Sequence, residues 1–591
     1  MFHKTFQFKK EDLVQLWVSE GLIKPNGITR VEDVDSGIEF FDILLQNSIF
    51  ELSNDDATRP LYRMHNAFFA LANFISHEEV FQMEDDDQQL ALCNFGNVRR
   101  MSLCWNERNQ QKSLEFLPKC RRLRTLVVRV LSLSSSGITM LPTTIKELKH
   151  LRHLDVSETG IEMLPDEITL LHGMEFLKLN YCFKLTKLSR DMKNLTNLCH
   201  LEFDMDRINA MPAGFGKLTC LQTLSGFRVG ENGGECIKEL KELNFLHGSL
   251  CIAGLENVVS NDQACKAMLE NKSFLEGLEF QWKNVINDVQ SSEVLCGLKP
   301  HSGIKNLTIN GYGSVMFPTW FGEPSLYPRI QSIVLNHCMS CKLFPDLGSL
   351  PMLKSLYIGQ MRDLMEFDCS ERGLYPSLQA LVFCDMDKLQ VVKGLKVGHM
   401  ANLSTLIFEN CPNLVSLPVL HHCLNLMLLN IFNCPKIQQL PIEGLPKSLK
   451  SLTIKGCSNL SQQCAGGVDY SIIQSIPEVR DYLALLFGNS GGDNQNKGAA
   501  SGESGGRSAV GGDGGGIGVT VSSGCGDDNI GNGGGMGGSD HSDSGSARGS
   551  GNNIGKVSAK KINKEETFSR LWPSQGNERD WLEGNESVGQ N

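Results

Sequence analysis

The chain has 591 residues, a net charge of −11 and 41% hydrophobic residues, a composition typical of a soluble folded protein with several domains or a repeat array. No run of about 18 apolar residues occurs and no apolar signal segment follows Met1, so we expect no transmembrane segment and no export. Twenty cysteines without an export signal predict reduced thiols and a cytoplasmic location. The nucleus and the periphery of the plasma membrane are the alternative compartments.

Residues 1–80 have the element order of a small winged-helix domain. In KEDLVQLWVSEGLI the apolar residues Leu13, Leu16 and Trp17 have helical spacing, and this helix is predicted to end near Gly21. VEDVDSGIEFFDILLQNS predicts a second helix and HNAFFALANFIS a third. IFEL and LYRM, on either side of a polar loop, predict the hairpin.

Charge argues against a DNA-binding role for this domain. Residues 1–90 contain 7 Lys and Arg against 17 Asp and Glu, a net charge of −10. Binding to DNA depends on neutralising phosphates, so we expect no nucleic-acid partner. The acidic run Glu84–Asp87 is interpreted as part of a linker that covers residues 81–120.

Internal repeats dominate residues 121–480. LSLSSSGITMLP and LDVSETGIEMLP align with an offset of 23 residues, and Leu406, Leu429 and Leu452 recur at the same offset. The pattern LxxLxLxx(C/N/T)xxL predicts a short strand in each repeat, whose leucines share one core. Stacked repeats of this kind predict an α/β leucine-rich-repeat solenoid with a curved parallel sheet.

Two positions in each repeat have structural interpretations. Cys411, Cys434 and Cys457 are predicted to form a buried ladder at the turn that leaves each strand. The proline of the repeated "LP" step is predicted to end regular pairing on the convex side. Residues 222–303 are interpreted as repeats that carry insertions, with strands in GSLCIAGLENV and LEGLEFQW and a helix between them.

The outward positions of the predicted strands form the candidate protein-binding surface, because large apolar groups on such a face often anchor partners. An alternative for the apolar members is packing against an insertion or the tail. The candidates are His153, Asp155, Glu158, Phe176, Lys178, Tyr181, His200, Glu202, Glu409, Leu428, Asn430 and Phe432.

Residues 481–591 differ in composition from the rest of the chain. In residues 491–560, 24 of 70 positions are glycine, which predicts a disordered tail because little apolar surface offsets the backbone entropy. Phe568, Leu571, Trp572, Trp581 and Leu582 stand near its end. They are interpreted as part of the disordered tail, with a short docking segment as the alternative.

No motif predicts an enzyme or a metal site. The string GESGG in the tail lacks the strand and helix that a nucleophile elbow requires. Cys338 and Cys341 form a lone CxxC without a second pair at zinc spacing, so a structural role is favoured. The nearest string to a phosphate-binding loop, GNNIGKV, has the wrong glycine spacing.

Several motifs in chain order resemble those of plant nucleotide-binding leucine-rich-repeat (NLR) disease-resistance proteins of the coiled-coil type. They are FQFKKEDLVQLWVSEGLI, YRMHNAFFALANFIS, FPTWFGEPSLYP, NHCMSCKLFPDLGSLPMLKSLYI and ENCPNLVSLP. In that family a coiled coil and an ATPase precede the winged helix. The resemblance therefore implies a truncated member, whose first domain is the winged-helix (ARC2-like) remnant of an NB-ARC module.

The resemblance implies a binding function. The repeats would recognise a pathogen effector or a guarded host protein, and would regulate an ADP/ATP switch module in cis or in trans. His65 matches the histidine that contacts an ADP phosphate, although Asn66 replaces the usual aspartate; capping of the next helix is the alternative. This chain alone is expected to bind no cofactor. The second hypothesis is a repeat scaffold or ubiquitin-ligase substrate adaptor without a nucleotide switch.

Overall fold

A computed structural model gives the structure of the chain. The residues that it describes are 6–23, 31–53, 60–76, 78–83, 94–105, 116–130, 138–231, 234–283, 288–369, 373–393, 396–466, 469–474 and 476–481. The predicted acidic run Glu84–Asp87 and the tail beyond Asp481 lie outside these residues.

The N-terminal domain has three helices and an antiparallel hairpin, as the sequence predicts. They are α1 (Lys10–Ser19), α2 (Val31–Gln46), β1 (Phe50–Leu52), β2 (Tyr62–Met64) and α3 (Asn66–Ser76). Helix α1 ends before Gly21, whose φ of 71° is a left-handed conformation that glycine adopts without strain. The predicted winged-helix fold is confirmed.

Aromatic rings hold this domain together. Phe8, Phe41 and Phe50 are buried, and the rings of Phe41 and Phe50 are stacked with their centroids 5.1 Å apart. Val14 of α1 is fully buried in the same core, and Trp17 packs against it from its edge. One side of α1 is therefore committed to the core of its own domain.

The rest of the described chain forms two parallel sheets, in which strands follow one another in chain order. The first sheet contains β3 (Val80–Met83), β4 (Arg100–Trp105), β5 (Thr125–Val130), β6 (His153–Asp155), β7 (Phe176–Leu179), β8 (His200–Phe203) and β9 (Thr223–Leu224). The second contains β10 (Gly226–Arg228), β11 (Gly248–Ala253), β12 (Leu275–Gln281), β13 (Asn306–Asn310), β14 (Ser332–Asn336), β15 (Ser355–Gly359), β17 (Ala380–Cys384), β19 (Thr405–Glu409), β20 (Leu428–Phe432), β21 (Ser451–Lys455) and β22 (Glu478–Asp481).

Smaller elements connect the strands. A parallel pair joins β16 (Glu366–Asp368) to β18 (Val391–Lys393). The remaining helices are α4 (Asn261–Cys265), α5 (Asp288–Gly297), α6 (Ser458–Gly466) and α7 (Tyr470–Ile473). Residues 222–303 thus supply strand β9 of the first sheet, strands β10 to β12 of the second and helices α4 and α5, with a register shift between β11 and β12 at Gly248, as predicted for repeats with insertions.

The leucines of successive repeats form one spine. Leu406, Leu429 and Leu452 are paired in register across β19, β20 and β21 and are at most 1% exposed. A single repeat has too little apolar surface to bury itself, whereas stacking makes one continuous core. The predicted solenoid is confirmed, and we use "concave face" for the side of the strands opposite this core.

The predicted cysteine ladder is also present. Cys411, Cys434 and Cys457 are fully buried at the turns after β19, β20 and β21. The Cys434 thiol lies 3.2 Å from the Phe432 carbonyl oxygen, and the Cys434 amide donates to the sulfur of Cys457 at 3.3 Å. These thiols therefore hydrogen-bond backbone groups of their own repeat or of the preceding one.

The prediction that residues 81–120 form a linker is wrong. Strand β4 lies inside this range and pairs with both β3 and β5, so the repeat sheet begins at Val80. In this strand Met101 and Leu103 are buried and Arg100 and Ser102 are half-buried, but the segment RMSLCW lacks the full leucine pattern. Periodicity therefore misses it, and only pairing with the next strand identifies it as a repeat.

Candidate functional site: the concave face and the winged-helix contact

A row of stacked side chains crosses the concave face of the first sheet. Register places His153, Phe176 and His200 side by side on β6, β7 and β8. Their ring centroids are 5.4 Å apart for the first pair and 4.2 Å for the second. The His200 Nδ1 is 2.8 Å from the Thr223 hydroxyl on β9, which continues the row.

This row is buried, which corrects the exposure that the sequence analysis assigned to it. His153, Phe176 and His200 are 2%, 1% and 4% exposed, and Lys178 beside them is 5% exposed. The physical reason is that the winged helix lies against this part of the sheet. An external protein has no access to these four side chains in this arrangement, so their predicted partner role is open only to a segment of the same chain.

An ion pair joins the winged helix to β7. The Lys178 ammonium lies 2.5 Å from a carboxylate oxygen of Asp12 in α1 and 3.5 Å from a carboxylate oxygen of Glu202 in β8. The Lys178 side chain is 6% exposed, whereas that of Asp12 is 46% exposed. The lysine is thus buried between two acids, one from each domain.

A second polar contact fixes the other end of α1. Glu20, which follows the helix directly, has a 4% exposed side chain and lies 2.8 Å from the Arg100 guanidinium on β4. The Thr125 hydroxyl on β5 donates a hydrogen bond to the same carboxylate. The Glu20 carboxylate therefore bridges two neighbouring strands of the repeat sheet.

The dimensions of α1 match this placement. From Asp12 to Glu20 a helix advances by about 12 Å, and the three strand spacings from β4 to β7 measure about 14 Å. Val14 is buried in the core of the winged-helix domain, while Asp12 and Glu20 contact the repeat sheet. Helix α1 consequently has two buried faces. The apolar face packs into the core of the winged-helix domain, and the polar face contacts the repeats.

Burial and charge set the protonation of this contact. Burial lowers the pKa of the Lys178 ammonium, but the carboxylates of Glu202, Asp12 and Asp155 outweigh it and raise the pKa above its ordinary value. Burial, followed by the charge of Lys178, lowers the pKa of His153 to about 3. Lys178 is therefore charged and His153 neutral near pH 7, which avoids two adjacent cations.

His65 occupies the start of α3. Its Nδ1 accepts a hydrogen bond from the Ala67 amide at 3.3 Å, and its Nε2 is 3.6 Å from a carboxylate oxygen of Glu51. Arg63 lies 3.1 Å from the same glutamate. This geometry is that of a helix-capping residue, the alternative considered for His65, and its contact with ADP stays a prediction.

Helix α3 presents an apolar face that the described chain leaves exposed. None of its residues is buried, and Phe74 and Ile75 are 80% and 72% exposed. Leu71 is 53% exposed on the same helix. Contiguous apolar surface of this kind is typical of an interface.

The remaining predicted binding residues separate by exposure. Glu158 and Tyr181 are exposed at left-handed turns after β6 and β7, with Tyr181 44% exposed. Half-buried are Asp155, Glu202, Glu409, Leu428 and Phe432. Asn430 is only 8% exposed. Glu409 to Phe432 lie in the second sheet, so the structure does not bring them together with the first group.

Sequence reasoning missed several residues of the concave face. Asp12 and Glu20 were not selected, because nothing in a helical pattern indicates that its polar face contacts a distant sheet. Tyr357 and Val382 were also missed, although each stands at the centre of an apolar-x-apolar strand, LYI or LVF, where the outward residue is itself apolar. That signal was readable in the sequence.

Two general findings complete the site. Within the described ranges, no group of three or more His, Cys, Asp and Glu side chains is arranged to hold a metal ion, and Cys338 and Cys341 are fully buried in the repeat core. No helix among the described residues has the length and apolar character needed to cross a membrane.

Three sequence families match the chain in succession. "Disease resistance protein Winged helix domain" matches residues 1–72, a leucine-rich repeat region matches 79–207, and "R13L1/DRL21 LRRs" matches 237–361. The leucine-rich repeat domain of APL1B aligns with a TM-score of 0.31 and 14% identity over 71% of this chain and 93% of that one. That alignment adds nothing to the fold described above.

Curated plant proteins resemble the chain over most of its length. A putative disease resistance protein of Arabidopsis thaliana is 32% identical over 461 residues, covering 70% of this chain and 32% of the relative. The putative disease resistance protein RGA1 of Solanum bulbocastanum is 31% identical over 425 residues, covering 71% and 42%. The putative disease resistance RPP13-like protein 1 of Arabidopsis thaliana is 31% identical over 469 residues, covering 70% and 43%.

The chain thus spans about a third to two fifths of the length of these relatives. The order of the matches agrees with the fold, since the winged-helix family covers α1 to α2 and the hairpin and the repeat families cover strands of both sheets. The chain therefore joins a winged-helix domain of the disease-resistance type to leucine-rich repeats, and over about 70% of its length it is similar to plant disease resistance proteins.

Proposed function

We propose that the chain is the regulatory and recognition portion of a disease-resistance receptor, in which the first repeats hold the winged helix and control an ADP/ATP switch module. The observation that carries this proposal is the buried Lys178 between Asp12 and Glu202. A buried lysine that shares its charge between an acid of the repeats, Glu202, and an acid of the winged helix, Asp12, couples the position of the winged helix to the repeat sheet.

The exposed face of α3 supports the second part of the proposal. Its residues Leu71, Phe74 and Ile75 lie on the domain that α1 fastens to the repeats. We infer that this face receives the nucleotide-binding module, in cis or in trans. His65, at the start of the same helix, would then approach an ADP phosphate, and this chain alone would bind no nucleotide and catalyse no reaction.

Recognition is assigned to the part of the concave face that the winged helix does not cover. Tyr181 and Glu158 stand exposed at its edge, and Glu409, Leu428 and Phe432 belong to the C-terminal repeats. The proposed ligand is a pathogen effector or a host protein that effectors modify, bound in the cytoplasm, a compartment that keeps thiols such as those of the cysteine ladder reduced.

Association with the nucleotide-binding module of a family member tests the proposal. The module is loaded with ADP or ATP, mixed with this chain and separated by size. We expect ADP-dependent association that Phe74→Glu abolishes, whereas Ile442→Glu, at an 84% exposed site in the repeats, leaves it unchanged. Association that is the same with ADP and ATP and that persists in Phe74→Glu would overturn the proposed switch. Binding of the chain to ubiquitin-ligase components, in place of the nucleotide-binding module, would favour the adaptor hypothesis.

A further inference from the structure

The second sheet carries an apolar stripe on its concave face. Register aligns Val334, Tyr357, Val382 and Ile407 in one row across β14, β15, β17 and β19. Four adjacent strands span about 14 Å from first to last. We call these four residues the concave stripe. The same row is polar beyond it, at Thr308 on one side and at Asn430 on the other.

The stripe is more buried than strand pairing explains. Tyr357, Val382 and Ile407 are 5%, 3% and 8% exposed. Thr308 and Thr453 hold the same position in the row with a strand on each side, and they remain half-buried. Part of this deeper burial comes from the sheet itself, because the Tyr357 ring lies over Gly359 and Ala380 and Cys384 pack in the same cluster. A group that lies over the stripe would account for the rest.

Asn430 indicates one property of that group. It ends the stripe, is only 8% exposed, and its Oδ1 has no hydrogen-bond donor in the described part of the chain. A buried carbonyl oxygen without a donor is unfavourable, because no protein hydrogen bond replaces the water that it loses. A covering group with a large apolar body and a single donor would satisfy both features, and the tryptophan indole is such a group.

The C-terminal segment of the chain supplies this chemistry. Residues 488–567 contain no Phe, Tyr or Trp, and then Phe568, Leu571, Trp572, Trp581 and Leu582 follow within 15 residues. Two of the six tryptophans of the protein are in this short segment. The apolar groups are thus concentrated at the far end of a glycine-rich stretch.

The length of the chain allows the segment to reach the stripe. A glycine-rich linker of the 80 residues from 488 to 567 has a root-mean-square length of roughly 50 Å. Strand β17 is four strand spacings from β22, after which the tail begins, a distance of about 19 Å. Tethering over this distance gives an effective concentration in the millimolar range, so a weak contact suffices for occupancy.

Charges match along the same path. Lys556, Lys560, Lys561 and Lys564 precede the aromatic residues of the segment. Beside the stripe, Glu409 follows Ile407 by two positions on the same strand face, and Asp385 and Asp387 line a shallow cleft at the turns. In the sequence the four lysines outnumber Glu565 and Glu566, the acidic residues between them and Phe568, so a net basic stretch precedes the apolar segment while carboxylates lie next to the apolar stripe.

We propose that residues 568–582 dock in cis on the concave stripe, with a tryptophan ring on Tyr357, Val382 and Ile407 and an indole N–H donated to Asn430. The C-terminal repeats would then be covered by the end of their own chain. An external protein that binds this face has to displace the segment. The proposal is independent of the nucleotide switch.

Photocrosslinking in the full chain tests it. Val334, at the rim of the stripe, is replaced by p-benzoylphenylalanine in an equal mixture of light and 15N-labelled chains, which are irradiated and analysed by mass spectrometry. We expect crosslinks to peptides within 568–582 of the same chain. The probe placed at Met352, an exposed position outside the strands, should give none of these crosslinks.

Variants in the segment complete the test without touching the folded repeats. Trp572→Ala with Trp581→Ala should lower the crosslink yield at least fivefold. Replacing both tryptophans by phenylalanine keeps the rings but removes the donors, and should lower it to a smaller extent. Crosslinks that join light to heavy chains, that fall outside 568–582, or that persist in the double alanine variant would overturn the proposal.

Discussion

Lys178 and Asp12 lie 166 positions apart in the chain, yet their charged atoms are 2.5 Å apart. The lysine side chain is 6% exposed and also faces Glu202 at 3.5 Å. An ammonium group buried to this extent is stable only with an anionic partner, since its desolvation is costly. The first repeats therefore depend on the winged helix as much as the winged helix depends on them.

Reversing one charge of this pair should release α1 from the sheet. In Lys178→Glu the new carboxylate would lie next to those of Asp12 and Glu202. Their repulsion should separate α1 from the sheet, so we expect faster hydrogen exchange of the α1 backbone amides. Asp12→Lys combined with Lys178→Glu should restore part of the protection. Lys184→Glu is the matched control, because Lys184 pairs with Glu162 at 3.4 Å on the surface and such pairs contribute little. Equal exchange in all variants would contradict the coupling.

Glu20 should contribute more to stability than its neighbour Glu79, although both contact Arg100. Glu20 is 2.8 Å from the guanidinium with a side chain 4% exposed, whereas Glu79 is 3.5 Å away and 43% exposed. Removing Glu20 leaves Arg100 with only the more distant Glu79 and takes away the acceptor of the Thr125 hydroxyl. We expect Glu20→Ala to cost about 2–4 kcal/mol and Glu79→Ala below about 1 kcal/mol in denaturant unfolding. Similar losses of unfolding free energy in the two variants would show that burial of the glutamate does not set its contribution to stability.

The buried His153 should make the sheet sensitive to mild acid. Its pKa in the folded protein is lowered to about 3 from 6.5, so between these values the unfolded chain binds a proton that the folded chain does not. Stability from this residue is complete above pH 6.5 and is lost as the pH falls towards 3. From pH 7 to pH 5 the loss amounts to about 2 kcal/mol.

Native-state hydrogen exchange of the β6 amides measures this effect locally. In His153→Gln the difference between the opening free energies at pH 7 and pH 5 should shrink by about 2 kcal/mol. His172→Gln is the control, since His172 is exposed and its ring only approaches the Asn194 carbonyl oxygen. An unchanged pH dependence in His153→Gln would show that His153 is not the titrating group.

Periodicity accounts for what the sequence could predict. The spine of Leu406, Leu429 and Leu452 follows from an offset of 23, because side chains that must share one core recur at the period of the repeat. The winged helix follows from helical spacing in the same way. Both depend on local patterns that a single sequence displays.

The burial of Phe176 and Lys178 could not be predicted by the same means. Their outward position in the strand was correct, but what covers an outward residue depends on surfaces far apart in sequence. Strand β4 was missed because its alternation, without the leucine pattern, also suits a short linker strand. The contacts that the sequence did not predict are therefore those between the winged-helix domain and the repeats, whose apolar residues recur with different periods.

The buried thiols of the ladder should be chemically inert in the folded chain. The hydrogen bond with the Cys411 thiol, followed by burial, raises the pKa of Cys434 to about 12, although the hydrogen bond with the Cys457 thiol lowers it. A thiol is reactive only as thiolate. Cys220 and Cys296 are exposed. At pH 8 we expect iodoacetamide to label Cys220 and Cys296, and to reach Cys434 only after denaturation. Labelling of Cys434 in the native chain at a comparable rate would contradict the ladder.

Two glycines with the same backbone conformation should tolerate a methyl group differently. Gly254, at the end of β11, has φ 75° and Gly248, at its start, has φ 68°, so a left-handed residue is required at both. A Cβ on Gly254 would clash with the carbonyl oxygen of Val229 in the preceding repeat, whereas a Cβ on Gly248 would meet no atom within 4 Å. Gly248→Ala should therefore cost only the left-handed conformation, about 1–2 kcal/mol.

Gly254→Ala should cost more, because the Val229 carbonyl is backbone and cannot rotate away. To accommodate the methyl group, two repeats must separate, which opens the core between β10 and β11. We expect a loss about 2 kcal/mol larger than for Gly248→Ala in denaturant unfolding, with increased exchange confined to these strands. Equal losses for the two variants would mean that the stacking distance between these repeats adjusts freely, which a continuous leucine spine does not allow.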